Sequence, residues 1–250
     1  MLEMDIHMLG WQLFKHAVLM IIRNFGDIAK IGALPIGVGV VLISALSITF
    51  AERLATSENE PSVGAALPIF LIAAVILFCM FWFVVSWHRY VLLEEMPNGW
   101  MNGPKPEVKN YFFAGVKLFF IAFAMMIPAV TFSILLSWAP VLLALVLFIY
   151  AIFVAFFMFR ISLILPGAAV GNALPISEAL DRTKGQLGTY VVLILCSFGL
   201  GFALQIVIIL TAFIPLIGIL VALGVQIFTA LLNVSIMTTL YGYFIEKRAL

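Results

Sequence analysis

The chain reads as an all-α, polytopic membrane protein: a bundle of six transmembrane helices with an N-terminal interfacial amphipathic helix. Three observations predict this. Of 250 residues, 65% are hydrophobic and 10% are charged, against about 25% charged in an ordinary soluble domain. Lipid rather than water must therefore be the solvent for most of the surface. Six apolar stretches each reach the roughly 20 residues that a helix needs to cross a hydrocarbon core. The 13 Lys and Arg residues, Arg53 excepted, all fall on one side of those stretches. A single integral membrane domain, residues 1–250, covers the chain.

The first element is a helix at 8–30. Gln12, His16, Arg23, Asp27 and Lys30 recur there at helical spacing, with Lys15 beside them and Trp11, Phe14, Val18, Ile21 and Ile22 filling the rest. This pattern suits a helix lying in the interface with its basic stripe toward the headgroups. It equally suits an amphipathic helix packed on the bundle. No signal peptide is expected, because Glu3 and Asp5 occupy what would be a basic leader and no cleavage site follows the first apolar run.

Six spans follow, at about 31–50, 65–87, 112–138, 141–165, 190–213 and 216–244. Pro128 predicts a kink in the third. The turns Trp138-Ala139-Pro140 and Phe213-Ile214-Pro215 are short enough to make spans three and four, and five and six, tight hairpins. A further short helix is expected at 177–186. Ser177 would cap it, Glu178 would lie near its positive end and pair with Arg182 four residues on, and Gly185 would stop it.

Charge sets the expected orientation. Lys15, Arg23 and Lys30 precede span one. Arg89, Lys105, Lys109 and Lys117 lie in or beside the connection from span two to span three. Arg160, Arg182 and Lys184 surround the one from span four to span five, and Lys247 and Arg248 close the chain. The opposite loop, 51–63, carries Arg53 with Glu52, Glu58 and Glu60. The positive-inside rule then places both termini in the cytoplasm. Three even-numbered spans end in a polar or basic group: Trp87-His88-Arg89-Tyr90, Phe159-Arg160-Ile161-Ser162 and Tyr241-Gly242-Tyr243. A degenerate hairpin repeat and an ordinary aromatic and charged exit belt both produce that pattern.

Several residues stand out. Arg160 lies in an apolar run that continues through Leu165, where an ionisable group is costly and needs a partner. Glu94, Glu95, Glu178, Asp181 and a lipid phosphate all qualify; a snorkelling anchor is the alternative. Arg89, with His88 next to it, is read in the same way. These residues, with Glu178, Arg182 and Lys184, form a candidate lipid- or partner-binding face. Gln205 on span five and Gln226, Thr229 and Asn233 on span six are polar within the bilayer. They read either as hydrogen-bonding glue between helices or as a polar path through Gln205, Gln226 and Asn233. The pairs Gly37 and Gly39, Gly199 and Gly201, and Gly218 and Gly224 are expected at close helix contacts.

Chemistry is expected to be absent. No Asp or Glu lies mid-span for proton or sodium coupling. His7, His16 and His88 are scattered, with no metal-ligand spacing. Gly99, Gly103 and Pro104 make a turn, not a phosphate-binding loop. Cys79 and Cys196 both sit in apolar stretches and read as small buried hydrophobes. No cofactor, no metal and no enzyme activity are expected, and the net charge of +1 gives no argument for nucleic acid.

The stretch Arg160-Ile161-Ser162-Leu163-Ile164-Leu165-Pro166-Gly167, followed by Ser177-Glu178-Ala179-Leu180-Asp181-Arg182-Thr183-Lys184-Gly185, resembles a motif of bacterial six-span membrane proteins. These are related to the membrane domain sometimes fused to glycerophosphodiester phosphodiesterases. Trp87-His88-Arg89-Tyr90-Val91-Leu92-Leu93 is similar to an element of their proteobacterial members. No segment here is long enough to hold the phosphodiesterase domain, so that activity is not implied. The resemblance implies a bacterial inner-membrane bundle linked to lipids or membrane homeostasis. The expected function is accordingly non-catalytic, acting through anionic lipids or a protein partner at the cytoplasmic face. The alternative is a small transporter or channel along spans five and six.

Overall fold

A computed structural model of the chain describes residues 6–55 and 63–250. Among them every regular element is helical: α1 (Ile6–Arg23), α2 (Phe25–Ala55), α3 (Val63–Leu93), α4 (Val108–Leu135), α5 (Pro140–Ile161), α6 (Ile164–Ala169), α7 (Ile176–Arg182), α8 (Leu187–Thr211) and α9 (Pro215–Phe244). Six segments are long and apolar enough to cross a membrane: α2, α3, α4, α5 continuing through α6, α8 and α9. The chain is a multi-pass membrane protein. Most of the Glu-rich connection at 51–63 lies outside the described residues.

Three hairpins, α2 with α3, α4 with α5, and α8 with α9, form the bundle. Pro140 and Pro215 open α5 and α9, where a missing N–H costs nothing and a fixed φ favours the first helical turn. Proline inside a helix is tolerated in α4, which runs unbroken through Pro128. In the turn before it, the Met125 carbonyl accepts a 2.6 Å hydrogen bond from the Tyr150 hydroxyl of α5, which gives that phenol a partner that lipid cannot supply.

The alternation of the spans gathers α1, α6, α7, the connection 94–107 and the C-terminus at one end, here called the basic end. Packing is concentrated there. Buried positions fall at 28–39 in α2, 79–92 in α3, 108–118 in α4, 161 in α5, 189–193 in α8 and, Gly218 apart, 231–244 in α9. Leu13, Trp87, Ile161, Leu163, Tyr190, Ile236 and Tyr241 are fully enclosed. Toward the opposite end large apolar side chains such as Phe120, Ile134, Val141 and Phe202 are exposed. In a bilayer these meet hydrocarbon and gain little by meeting one another, so close packing is needed only where the chain approaches water.

Several expectations shift. The helix expected at 8–30 ends at Arg23. Asn24 Nδ2 donates to the Met20 carbonyl (2.7 Å), and Asp27 and Ile28 N–H groups turn back onto the Asn24 carbonyl, so α2 starts at Phe25. The 3.6-residue pattern crosses this break because Lys30 and Asp27 pair at 2.9 Å within the first turns of α2. α1 buries Leu9, Leu13, Phe14, Ala17 and Ile21 against α8 and α9. α7 covers 176–182 rather than 177–186. Pro175, not Ser177, is its N-cap, and no side chain caps it. Gly185 does leave the helical region, at φ +79°. Among the glycines, Gly37, Gly39, Gly199, Gly201 and Gly224 face no atom within 4 Å of a built Cβ, whereas Gly218 abuts the Thr211 carbonyl. Gly218 thus makes the close contact between α8 and α9 expected of it, and a tighter one falls at Gly10, where a Cβ would lie 2.6 Å from the Thr189 carbonyl oxygen of α8.

Candidate functional site

The sequence Trp87-His88-Arg89-Tyr90 lies in the last two turns of α3, and successive helical residues point about 100° apart. Four consecutive side chains therefore reach different neighbours. Trp87 Nε1 donates to Ser235 Oγ of α9 at 3.1 Å. His88 Nδ1 lies 2.8 Å from Thr238 Oγ1, one turn along α9. The Thr238 hydroxyl already donates to the Val234 carbonyl at 2.8 Å, so Nδ1 carries the proton and the threonine accepts. The other ring nitrogen, Nε2, is buried without a partner. The Tyr90 hydroxyl lies 2.9 Å from both Asn24 Oδ1 and Asp27 Oδ2 and ties α3 to the α1–α2 junction. The Trp87 and Tyr90 rings stack at 5.5 Å.

Arg89 serves the fourth direction. Its Nε donates to Glu95 at 2.7 Å and its Nη1 to Glu107 at 2.9 Å, and Nη1 also reaches the Ala169 carbonyl of α6 at 3.3 Å. Lys105 completes the network on Glu95. Burial pushes the Glu95 carboxyl up, but hydrogen bonds from Lys105 and Arg89, with their charges, outweigh it and hold it below the ordinary value. Glu107 lies 18 residues beyond Arg89, past Pro104 and Pro106, and nothing local in the sequence links the two.

Arg160 meets none of the four carboxylates considered for it. Its Nε donates to Thr183 Oγ1 at 2.8 Å and its Nη2 to the Leu180 carbonyl, while the guanidinium lies 5.3 Å from the Phe156 ring centre. It thus closes the C-terminus of α7, where free carbonyls and the negative end of the helix dipole favour a cation. Arg248 does the same for α3 through the Val91 and Leu92 carbonyls. Glu178 and Arg182 pair at 3.3 Å on the exposed side of α7. Lys184 is exposed and, among the described residues, unpaired. The structure thus sends His88 to Thr238 of α9 and Arg89 to Glu95 and Glu107, and joins Arg160 to α7.

Gln205, Gln226 and Asn233 are all exposed on the outer surface, and no hydrogen bond joins them among the described residues. Thr131, Ser133, Ser197 and Thr211 instead return their hydroxyls to carbonyls of their own helices. Among the described residues, no three His, Cys, Asp or Glu side chains come together to share a metal ion.

With the structural arginines occupied, a different set of cations faces outward. Lys15, Arg23, Lys109, Lys117, Lys184 and Lys247 are exposed and have no ion-pair partner among the described residues. Among the described residues, the acidic side chains left in the same condition at this end are Glu94 and Asp181. Compared with known protein families, characterised proteins and solved structures, the chain matches none.

Proposed function

We propose that the protein is a non-catalytic platform of a bacterial inner membrane, with its basic end in the cytoplasm, acting through anionic lipid and through proteins that dock there. The excess of unpaired, exposed cations at the packed end carries this reading. Each Lys or Arg close to an anionic surface contributes about 1 kcal/mol of attraction, and among the described residues six of them against two acidic groups give that end a preference for negative charge. Arg89 and Arg160 hold the platform in shape, and the lysines of α1, α4, the α7–α8 connection and the C-terminus meet the headgroups. The resemblance carried by Arg160–Gly167 and Ser177–Gly185 fits a lipid-linked role without phosphodiesterase chemistry.

The test is thermal stability in nanodiscs of phosphatidylcholine alone and of phosphatidylcholine mixed with phosphatidylglycerol, at low and high salt. The expected result is a higher melting temperature with the anionic lipid, the difference shrinking at high salt because surface charge is screened. Equal melting temperatures in both lipids would overturn the reading.

A further inference from the structure

Between α3 and α4 a groove of about 940 Å³ opens to the outside of the bundle. Phe70, Phe78 and Phe81 of α3 and Phe112 of α4 wall it, the small side chains of Ala73 and Ala74 leave it deep, and Lys105 and Lys109 stand at its basic-end mouth. The Phe81 ring closes that end by packing edge-on against Phe112 at 5.8 Å. On α3 the lining runs from Phe70 to Phe81, 11 residues apart, or roughly 16 Å at 1.5 Å per residue. This is close to half of a hydrocarbon core of about 30 Å, the depth of one leaflet.

The mouth is not electrically neutral. Glu95 is held by Arg89 and Lys105, and Glu107 by Arg89. Three cations thus face two carboxylates, and the surplus is Lys109, exposed and without an ion-pair partner among the described residues. The positive end of α4, which starts at Val108, adds to the same spot.

We infer that this groove is a binding site for one anionic glycerophospholipid of the basic-end leaflet, with an acyl chain along Phe78 and Ala74 and the phosphate at Lys109. An apolar channel one leaflet deep, closed by aromatic rings and mouthed by a free cation at headgroup level, matches such a molecule at both of its ends. A zwitterionic lipid would bring a cation of its own to the same mouth and leave the surplus positive charge there uncancelled. This inference deepens the proposed function and rests on its view that the basic end meets anionic lipid.

The experiment is native mass spectrometry of the intact protein released from vesicles of phosphatidylcholine and phosphatidylglycerol, for the wild type and three variants. Ala74→Trp fills the groove from an exposed position on α3, Lys109→Glu reverses the charge at its mouth, and Met8→Glu adds a negative charge at an exposed position of α1 on the same end. The expected result is one retained phosphatidylglycerol in the wild type and in Met8→Glu, reduced at least about fivefold in the other two, as loss of the headgroup attraction or of the chain's seat demands. Thermal unfolding verifies that each variant is folded, and Ala73→Leu replaces Ala74→Trp if that variant is not. Equal losses in Lys109→Glu and Met8→Glu with none on filling the groove would overturn the site while leaving the anionic preference of the whole end intact. Retention of phosphatidylcholine as readily as phosphatidylglycerol would overturn both. A co-purifying polypeptide displaced by Ala74→Trp would overturn the lipid as occupant.

Discussion

Gly10→Ala separates packing from intrinsic helix preference by the sign of its effect. In an open helix, alanine for glycine stabilises by about 1 kcal/mol. In α1 the new methyl carbon would lie 2.6 Å from the Thr189 carbonyl oxygen and 2.9 Å from Val192 Cβ. The oxygen belongs to the first turn of α8 and cannot rotate away. Restoring ordinary contact requires α1 to back off α8 by about 0.8 Å. Overpacking of this kind costs about 1–3 kcal/mol. Set against the propensity gain, the expected net loss is about 1 kcal/mol, or about 2–4 °C in melting temperature for a chain of this size. Gly199→Ala is the control: its Cβ meets nothing within 4 Å, so it should be as stable as the wild type or more so. The assay is thermal unfolding in detergent, with proteolysis in α1 as a local readout that Gly10→Ala should accelerate. If Gly10→Ala stabilises the protein to the same degree as Gly199→Ala, α1 is not seated on α8 as described.

Other substitutions test the rest of the basic end. Trp87→Ala removes a fully buried ring and the hydrogen bond to Ser235 and should cost about 3–5 kcal/mol. His88→Leu should stay within about 1 kcal/mol, because the lost bond to Thr238 is offset by removing a buried nitrogen that has no partner; chemical or thermal unfolding distinguishes the two. Arg160→Ala should remove the cation and its bond to the Leu180 carbonyl from the end of α7, costing about 1–2 kcal/mol and exposing the Lys184 peptide bond to trypsin, read as a faster cleavage rate. The folded Glu95 pKa lies below its unfolded value, so the stability it supplies is present above the ordinary carboxylate range and is lost as pH falls through the folded value. The melting temperature of Glu95→Gln should therefore fall less than that of the wild type as the pH is lowered from neutral into that range. Gln226→Leu and Asn233→Leu break no hydrogen bond among the described residues and expose less polar surface to lipid, so both should leave the melting temperature in bilayers unchanged or higher.

Hydropathy made the six spans legible, because an uninterrupted apolar run of membrane length has few other uses. The α1–α2 boundary was not, because Asp27 and Lys30 continue the polar stripe of α1 while pairing with each other inside α2. Trp87-His88-Arg89-Tyr90 reads in sequence as an exit belt. Its role as a junction depends on Ser235 and Thr238, nearly 150 residues away, and no local pattern encodes that distance. Arg160 was legible as a residue that needs a partner, but the partners are a backbone carbonyl and Thr183, which a search among carboxylates passes over. Of the paired glycines Gly218 meets another backbone, at Thr211, and the other five meet nothing: a glycine matters where another backbone arrives, as Thr189 does at Gly10, and small-residue spacing on one helix does not report that. Lys109 reads in sequence only as one of the charges that set orientation, because a groove it shares with α3 is formed by residues about 30 positions earlier.

Side-specific labelling would test most directly the claim that the packed, basic end faces the cytoplasm. Ser137→Cys places a thiol in the exposed α4–α5 turn at the opposite end, and Lys184→Cys places one after α7 at the basic end. The account predicts that a membrane-impermeant maleimide labels Ser137→Cys in intact cells and Lys184→Cys only in inverted membrane vesicles. The reverse pattern would put the lysines and the α3–α4 groove mouth on the outside and contradict the account.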